Sequence, residues 1–595
     1  MRSEAPLDRD ENPCRPRHFK PTLTPPCAAD APVSRSLDLA HKRLVTIGTA
    51  FALAFIVIGL RLADVTLLRE PDAQVLRLEQ PAVVQPVHYG RADILDRNGN
   101  VIATTLASPS LFANPHLIVD KPATARQLAK LLPGTNVAEI EAKLATDKSF
   151  VWLARHLTPG QEYAITALGI PGLDFEHEER RVYPAGVLAA HVAGYTDLDN
   201  KGLAGIERSF DTTLDSSREP LRLSIDLRLQ AILKEEMQKQ IDDYNGIGAS
   251  GVVMDVRTGE ILSLVSLPDF DPNQMREMAA KRGPSKDADD PRFNRATLGI
   301  YEMGSVFKIF NTALGLDDKK LTLASSFPTD PIHYGRFTIH DFAGEHIPNP
   351  ANVTTIFMES SNIGSARMVQ LSGPELQREF LGRLGLLRPA PIELPEVGGP
   401  EVPSPWREIN AMTISYGHGL GVSQVQTAIA AAAVVNGGIL HPASLIKHAD
   451  GYVPAGERVL SEETSAEMRK LMRLVVTDGT GKMADVPGYL VGGKTGTPEK
   501  VVHGGYAKKA VMASFIGVFP MNDPQYMVYV TVDEPKGNKK SMGFETGGWI
   551  AAPAVKRVVA RMAPLFGVKP QDETPDIHRA ITIDLPGLSK KIAVN

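Results

Sequence analysis

Beyond residue 27 the chain contains no cysteine: Cys14 and Cys27 are the only thiols among its 595 residues. Two cysteines in a Pro-rich tail make neither a disulfide framework nor a zinc site, which needs about four ligands. A cysteine-free remainder suits an oxidising compartment, where stray thiols are a liability. An excess of positive charge is also lacking. A net charge of −5 leaves no basic domain of the kind that binds nucleic acid. None of the fifteen histidines falls in an H-E-x-x-H pattern, and no internal repeat is evident. What remains, 43% hydrophobic and 22% charged, is the composition of an ordinary globular protein. The length exceeds one domain and suggests three or four units.

Charge is absent again from Leu44 to Leu60, LVTIGTAFALAFIVIGL, a stretch long enough to span a bilayer core. It has no polar face, which argues against a buried core helix. A cleaved signal peptide fits poorly, because the preceding tail is about twice the usual length and RLADV is a poor cleavage site. The sequence therefore predicts a transmembrane anchor over residues 44–63. Arg35, Lys42 and Arg43 place the N-terminus in the cytoplasm, so the chain beyond Arg61 is exported. Residues 1–43 lack apolar periodicity and read as a disordered cytoplasmic tail.

Residues 70–222 read as an α+β module. The stretches ADILD and NVIATT flank the turn RNGN, a hairpin signal. ATARQLAKLL and VAEIEAKLA follow with helical spacing. A second domain is expected over 223–566, opening with a helix N-capped by Asp226. Its two end segments, GVVMDVRTGEILSLVS and VMASFIGVFP…QYMVYVTVDEP, read as strand pairs around a helix-rich middle. That pattern predicts an antiparallel sheet whose flanking strands meet in space and are covered by helices. Residues 567–595 read as an irregular C-terminal tail.

Three motifs in the second domain carry chemistry. Ser305-Val306-Phe307-Lys308 follows Gly304, so Ser305 opens a helix and Lys308 lies one turn on, on the same face. A serine hydroxyl is a weak nucleophile until a base takes its proton, and a desolvated lysine can be that base. Ser360-Ser361-Asn362 comes next. In an extended loop Ser360 and Asn362 point the same way into a cleft, one to relay a proton, the other to hold a substrate amide. An ordinary Ser/Asn turn is the bland alternative. Last come Lys494, Thr495, Gly496 and Thr497, a lysine and two hydroxyls suited to a substrate carboxylate. Gly496 permits close backbone approach, and the Thr497 N–H can complete an oxyanion hole with that of Ser305. GYLVGGKT, from Gly488, also matches a phosphate-loop pattern, although Thr495-Gly496-Thr497-Pro498 is a poor helix start.

Singly these motifs are weak. In the order S-x-x-K, S-x-N, K-T-G they resemble the class B penicillin-binding proteins. RADILDRNGNVIA, RVYPAGVLAAHVAGY and GLAGIE, with Arg91, Asp96, Gly99 and Glu207, are similar to the signatures of that class's N-terminal module. SYGHGLGVSQVQ and DEPKG…TGGWIAAP are similar to stretches of its transpeptidase domain. Met303 departs from the pattern, since many relatives have proline there. The resemblance implies an elongated pedestal module and a serine β-lactamase-like transpeptidase domain. It implies a serine-type D-Ala-D-Ala transpeptidase with Ser305 as nucleophile, Lys308, Ser360, Asn362 and Lys494 as catalytic partners, and Thr495, Gly496 and Thr497 binding substrate. It implies no cofactor and no metal. The implied ligands are peptidoglycan stem peptides ending in D-Ala-D-Ala and β-lactams. The implied partners are a polytopic glycosyltransferase of the FtsW type and other division proteins, at the septum of a bacterial inner membrane. A side-wall elongation enzyme shares all this chemistry. A β-lactamase shares the three motifs, but usually lacks an anchor and a preceding module. A penicillin sensor or scaffold would not need the complete motif set. His191 and His418 read as structural, and Asp96 and Glu207 as polar contacts that fix the module.

Overall fold

The computed structural model describes residues 34–63 and 90–583, apart from 133, 279–284, 286–287, 336, 343–346 and 503–504. The chain divides into two units, Met1–His88 and Tyr89–Asn595. In the first, a helix runs from Ser34 to Ala63. Its segment Lys42–Ala63, 22 residues with mean hydropathy 2.1, has an exposed apolar surface all round. At 1.5 Å per residue it is roughly 33 Å long, the thickness of a hydrocarbon core. Thr46 and Thr49 turn their hydroxyls back onto the carbonyls of Lys42 and Val45, which satisfies these polar groups within the helix. Residues 34–43, read as part of the tail, are helical. The remaining tail residues, with Cys14 and Cys27, lie outside the described residues.

The second unit opens with a five-stranded sheet. Its long strand Val101–Ala113 pairs antiparallel with Ile94–Leu95, Val151–Ala154 and Leu173–Val182, and Ile94–Leu95 continues to Leu221–Arg222. The hairpin expected at RNGN is present. Asp96 holds it closed by accepting from the backbone N–H groups of Asn98 and Asn100, each at 2.8 Å. The two expected helices, Lys121–Leu131 and Val137–Leu144, are N-capped by Asp120 and Asn136. Their faces Ala125/Leu128 and Ile140/Leu144 close a small core with Leu111 and Leu153. Under the sheet lies a dry ion cluster. Fully buried Glu207 accepts from Arg91 Nε at 2.5 Å and from Arg181 Nε at 2.7 Å. Arg91 reaches on to Asp211 at 2.7 Å.

Asp226 caps the helix Leu227–Tyr244, accepting from the Arg228 N–H and from Asn98 Nδ2, each at 2.9 Å or close to it. That helix buries Leu229, Leu233 and Met237 against the main sheet. The main sheet runs in the order Gly492–Gly496, Gly505–Phe519, Tyr526–Asp533, Gly248–Asp255, Ile261–Leu267, all antiparallel. Strands from opposite ends of the domain therefore meet at the centre, in the register Val530↔Gly251. The helix Gly547–Leu565 joins Leu227–Tyr244 on one face. On the other, Lys308–Asp317 and the Ala/Val-rich helix Gln424–Val435, buried all round, form the second layer. Glu396 ties this domain to the pedestal, both its oxygens accepting from the Gly205 N–H at 3.2 Å.

The chain end differs from its sequence reading. A helix spans Pro575–Ile581, N-capped by Thr574, and Ile581 and Ile583 are buried. Partly buried Ile577 and buried Ile581, four apart, dock the helix beside Glu462–Thr477. One apolar pair is too short a pattern to announce a helix, and only the receiving surface gives it a place. Residues 584–595 lie outside the described residues.

Candidate active site

The turn that carries Ser305 is held from below. Gly304 enters it at φ +55°, and a Cβ there would press on Pro498 at 3.0 Å. Its N–H donates to the Gly417 carbonyl at 3.2 Å. Gly417 in turn lies so close that its own Cβ would fall 2.0 Å from the Gly304 oxygen. The SYGHGLG loop thus fixes where Ser305 sits. Met303, the departure from the family pattern, is buried and accepts from the Tyr529 hydroxyl through its sulfur at 3.3 Å. Gly304–Phe307 form one 3₁₀ turn that runs straight into the helix Lys308–Asp317.

Lys308 is buried, and its Nζ is the hub of the site. It lies 2.9 Å from Ser305 Oγ, 3.1 Å from Ser360 Oγ and 2.7 Å from Asn362 Oδ1, and also donates to the Ser360 carbonyl. Fully buried Lys494 approaches Ser360 from the far side, its Nζ 2.9 Å from the same Oγ. The Ser360 hydroxyl therefore bridges two lysines. Lys494 stands in the strand Gly492–Gly496, paired Lys494↔Ile516, with its Nζ 6.0 Å from the Phe357 ring centre. That strand runs on into Glu499–Val502 with no helix after it, which removes the phosphate-loop reading of GYLVGGKT. Thr495 meets the Thr480 hydroxyl at 3.0 Å, and Thr497 Oγ1 accepts the Gly547 N–H at 3.1 Å. A Cβ on Gly496 would lie 2.5 Å from Ser514 Oγ and 2.9 Å from the Met303 carbonyl. Glycine is thus required here by the packing of the strand against Ser514 and the turn at Met303.

The S-x-N segment departs from the extended loop the sequence suggested. Ser360 adopts a left-handed φ of +67° and Asn362 begins the helix Asn362–Ser372. Ser361 is the N-cap, accepting from the Gly364 N–H at 2.9 Å. Ser360 and Asn362 reach Lys308 together because the chain turns sharply between them. A residue that no sequence pattern singled out holds this turn. Asp341 accepts from the Asn362 N–H at 2.5 Å, the Ile363 N–H at 3.0 Å and the Ser361 hydroxyl at 3.0 Å. Asn362 Nδ2 donates to the neighbouring His340 carbonyl at 3.1 Å. A lone aspartate twenty positions upstream carries no signal by spacing. Thr480 was equally invisible.

The histidines sit at the margins. His191 is buried against Phe270, its Nε2 2.9 Å from the Pro291 carbonyl, and burial pushes its pKa down to about 4. His418 stands edge-on to Tyr416 and is likewise lowered to about 4, by burial first and by the Lys308 charge second.

These features define a penicillin-binding fold in which a dimerisation module precedes a serine transpeptidase domain. The family model "Penicillin binding protein transpeptidase domain" matches residues 249–560, and "Penicillin-binding Protein dimerisation domain" matches 86–242. A probable peptidoglycan D,D-transpeptidase FtsI of Caulobacter vibrioides is 41% identical, covering 82% of this chain and 83% of that protein. A probable peptidoglycan D,D-transpeptidase PenA of Neisseria meningitidis is 34% identical, covering 89% and 92%. Penicillin-binding protein 3 of Mycobacterium, solved with ampicillin, superposes with TM-score 0.63 at 24% identity, covering 84% of this chain and 99% of that one. The chain belongs to the class B penicillin-binding proteins.

Proposed function

We propose that this chain is a membrane-anchored peptidoglycan D,D-transpeptidase that cross-links stem peptides through an acyl-enzyme on Ser305. The observation that carries the reading is the convergence of Ser305, Ser360 and Asn362 on the single Nζ of Lys308, with Lys494 closing on Ser360. Once it has lost a proton, Lys308 keeps two N–H bonds, to the Ser360 carbonyl and Asn362 Oδ1, and its lone pair faces the Ser305 proton. Ser305 Oγ attacks the carbonyl of the penultimate D-alanine, and the proton passes to Lys308. Ser360 Oγ hands its proton to the departing D-alanine nitrogen while taking the one held by Lys308, and the C–N bond breaks to leave an ester. An amine of a second stem then attacks the ester, the new peptide bond forms, and Ser305 recovers its proton. Lys494, Thr495 and Thr497 receive the terminal carboxylate, and the N–H groups of Ser305 and Thr497 stabilise the oxyanion.

Residues 44–63 anchor the enzyme in the inner membrane with its N-terminus in the cytoplasm and the catalytic domain outside. The small residues Gly48, Ala50, Ala52 and Ala54 suit close packing against a polytopic FtsW-type glycosyltransferase. A septal role is preferred to side-wall elongation on the domain layout and the TGGWIAAP ending. A fluorescent fusion at mid-cell supports that preference, and side-wall fluorescence reverses it. The chemistry is tested by intact mass after incubation with benzylpenicillin. One stable adduct mapping to Ser305, absent in Ser305→Ala, is the expected result. Rapid release of hydrolysed penicillin would make the chain a β-lactamase instead.

A further inference from the structure

Away from Ser305, the transpeptidase domain carries a half-open cavity of about 540 Å³ that shares no residue with the site described above. Leu384 and Pro389 contribute one wall, Ile429 of the helix Gln424–Val435 a second, and Pro442 with Ala455 a third, from the hairpin Ile439–Leu440/Glu457–Arg458. The volume falls in the range of pockets that enclose most of a small ligand, about 300–1,000 Å³. The walls are mostly apolar, with Gln426 and His441 among them, and prolines stiffen them, so the cavity stands formed before a ligand arrives.

Two charged side chains line it, Arg388 and Glu457. Neither has a side-chain hydrogen bond or ion pair among the described residues, and they do not pair with each other. The backbone beneath Arg388 is nevertheless fixed. Gln426 Nε2 donates to the Arg388 carbonyl at 2.6 Å, while Gln426 Oε1 accepts the Ser423 N–H at 2.9 Å. Ser423 is the buried N-cap of the helix. The guanidinium thus rises from a rigid base.

We propose that this cavity is a second peptide-binding site, which takes a short peptide bearing a free carboxylate and a free amine. Arg388 receives the carboxylate in a two-pronged hydrogen bond, Glu457 receives the ammonium, and the proline and leucine walls cover the aliphatic side chains. A nucleotide or polyphosphate meets repulsion from Glu457, and an uncharged sugar satisfies neither side chain. The choice of a peptidoglycan stem as the peptide rests on the transpeptidase reading above. Bound there, one stem of a polymer tethers the strand and raises the local concentration of its neighbours at Ser305.

The test uses the full-length protein in detergent, acylated on Ser305 by benzylpenicillin so that the catalytic cleft is occupied. A synthetic stem tetrapeptide with a side-chain amine and a free C-terminal carboxylate is titrated calorimetrically. Saturable binding is expected, weakened roughly tenfold or more, about 1.4 kcal/mol, by Arg388→Glu and by the cavity-filling Ala455→Trp. Both variants keep the wild-type rate of penicillin acylation, which shows that they fold. No saturable binding up to about 10 mM, equal affinity in both variants, or equal binding of a disaccharide without peptide would overturn the proposal. Each of those results leaves Ser305 acylation, and the transpeptidase reading, standing. If Ser305 is not acylated at all, that reading falls, and the same titration on unmodified protein still decides whether the cavity binds peptide.

Discussion

Asp341 offers the sharpest check on how the active site is assembled. Its carboxylate gathers three donors, the N–H groups of Asn362 and Ile363 and the Ser361 hydroxyl, within 3.0 Å. The two N–H groups are the first backbone donors of the helix that delivers Asn362, and they have no partner within the helix itself. Hydrogen bonds to a charged acceptor contribute about 1.5–3 kcal/mol each when dry. Asp341 is half-buried, and water can replace part of what it gives, so Asp341→Ala should cost about 2 kcal/mol of stability, near the upper range for a lost helix cap. The larger effect should be kinetic. Without Asp341 the left-handed turn at Ser360 loses its clamp, and a displacement of about 1 Å at a catalytic group can cost on the order of 10²-fold in rate. The second-order rate of benzylpenicillin acylation should therefore fall between about tenfold and a hundredfold, which is 1.4–2.7 kcal/mol of barrier. Asp341→Asn keeps one acceptor oxygen and should lie between Ala and wild type. Stopped-flow acylation and thermal melting on the same preparations measure both effects. An alanine variant that acylates within twofold of wild type at an unchanged melting temperature would refute the reasoning.

Other outcomes follow from burial and crowding. Glu207→Ala strands Arg91 and Arg181 without their shared carboxylate in a dry setting, and should cost about 3–5 kcal/mol in thermal or denaturant unfolding. Glu207→Gln should cost less, and an alanine variant as stable as wild type would remove the cluster's structural role. Gly496→Ala places a methyl 2.5 Å from Ser514 Oγ, and acylation should fall by about tenfold or more while the fold survives, since overpacking typically costs about 1–3 kcal/mol. His191 and His418, both lowered to about 4, bind protons more readily unfolded, where the usual value is about 6.5. The sign follows: their contribution to stability is full above pH 6.5 and is lost as pH falls toward 4, by up to about 1.4 kcal/mol per pH unit for each. Melting curves of His418→Phe should show a shallower acid slope than wild type, and an identical slope would exclude His418 as a source.

Much of this architecture was legible along the chain because it is local. An uncharged run of seventeen residues announces an apolar helix long enough to cross a bilayer, and the helix is there. The turn RNGN closes a hairpin because Asp96 bonds to residues two and four positions on. Helical spacing in VAEIEAKLA survives as a buried face, since Ile140 and Leu144 lie one turn apart. The chemistry was legible for a different reason. S-x-x-K needs only one helical turn to bring Ser305 and Lys308 together, so its spacing already contains its geometry.

Local order alone thus carries the apolar helix, the residue types of the site and their sequence along the chain. It takes the fold to bring Ser305, Ser360 and Asn362 onto one Lys308 Nζ, and to turn Ser360 left-handed rather than extended. The same holds for Asp341, and for the pairing of strands 248–255 and 526–533, nearly three hundred residues apart. It holds too for the C-terminal helix, which needs a distant surface to dock on. One cause is common to all five. A hydrogen bond or a buried contact between remote residues leaves no period and no spacing in the chain, and it acquires meaning only where the fold brings both partners out of water together.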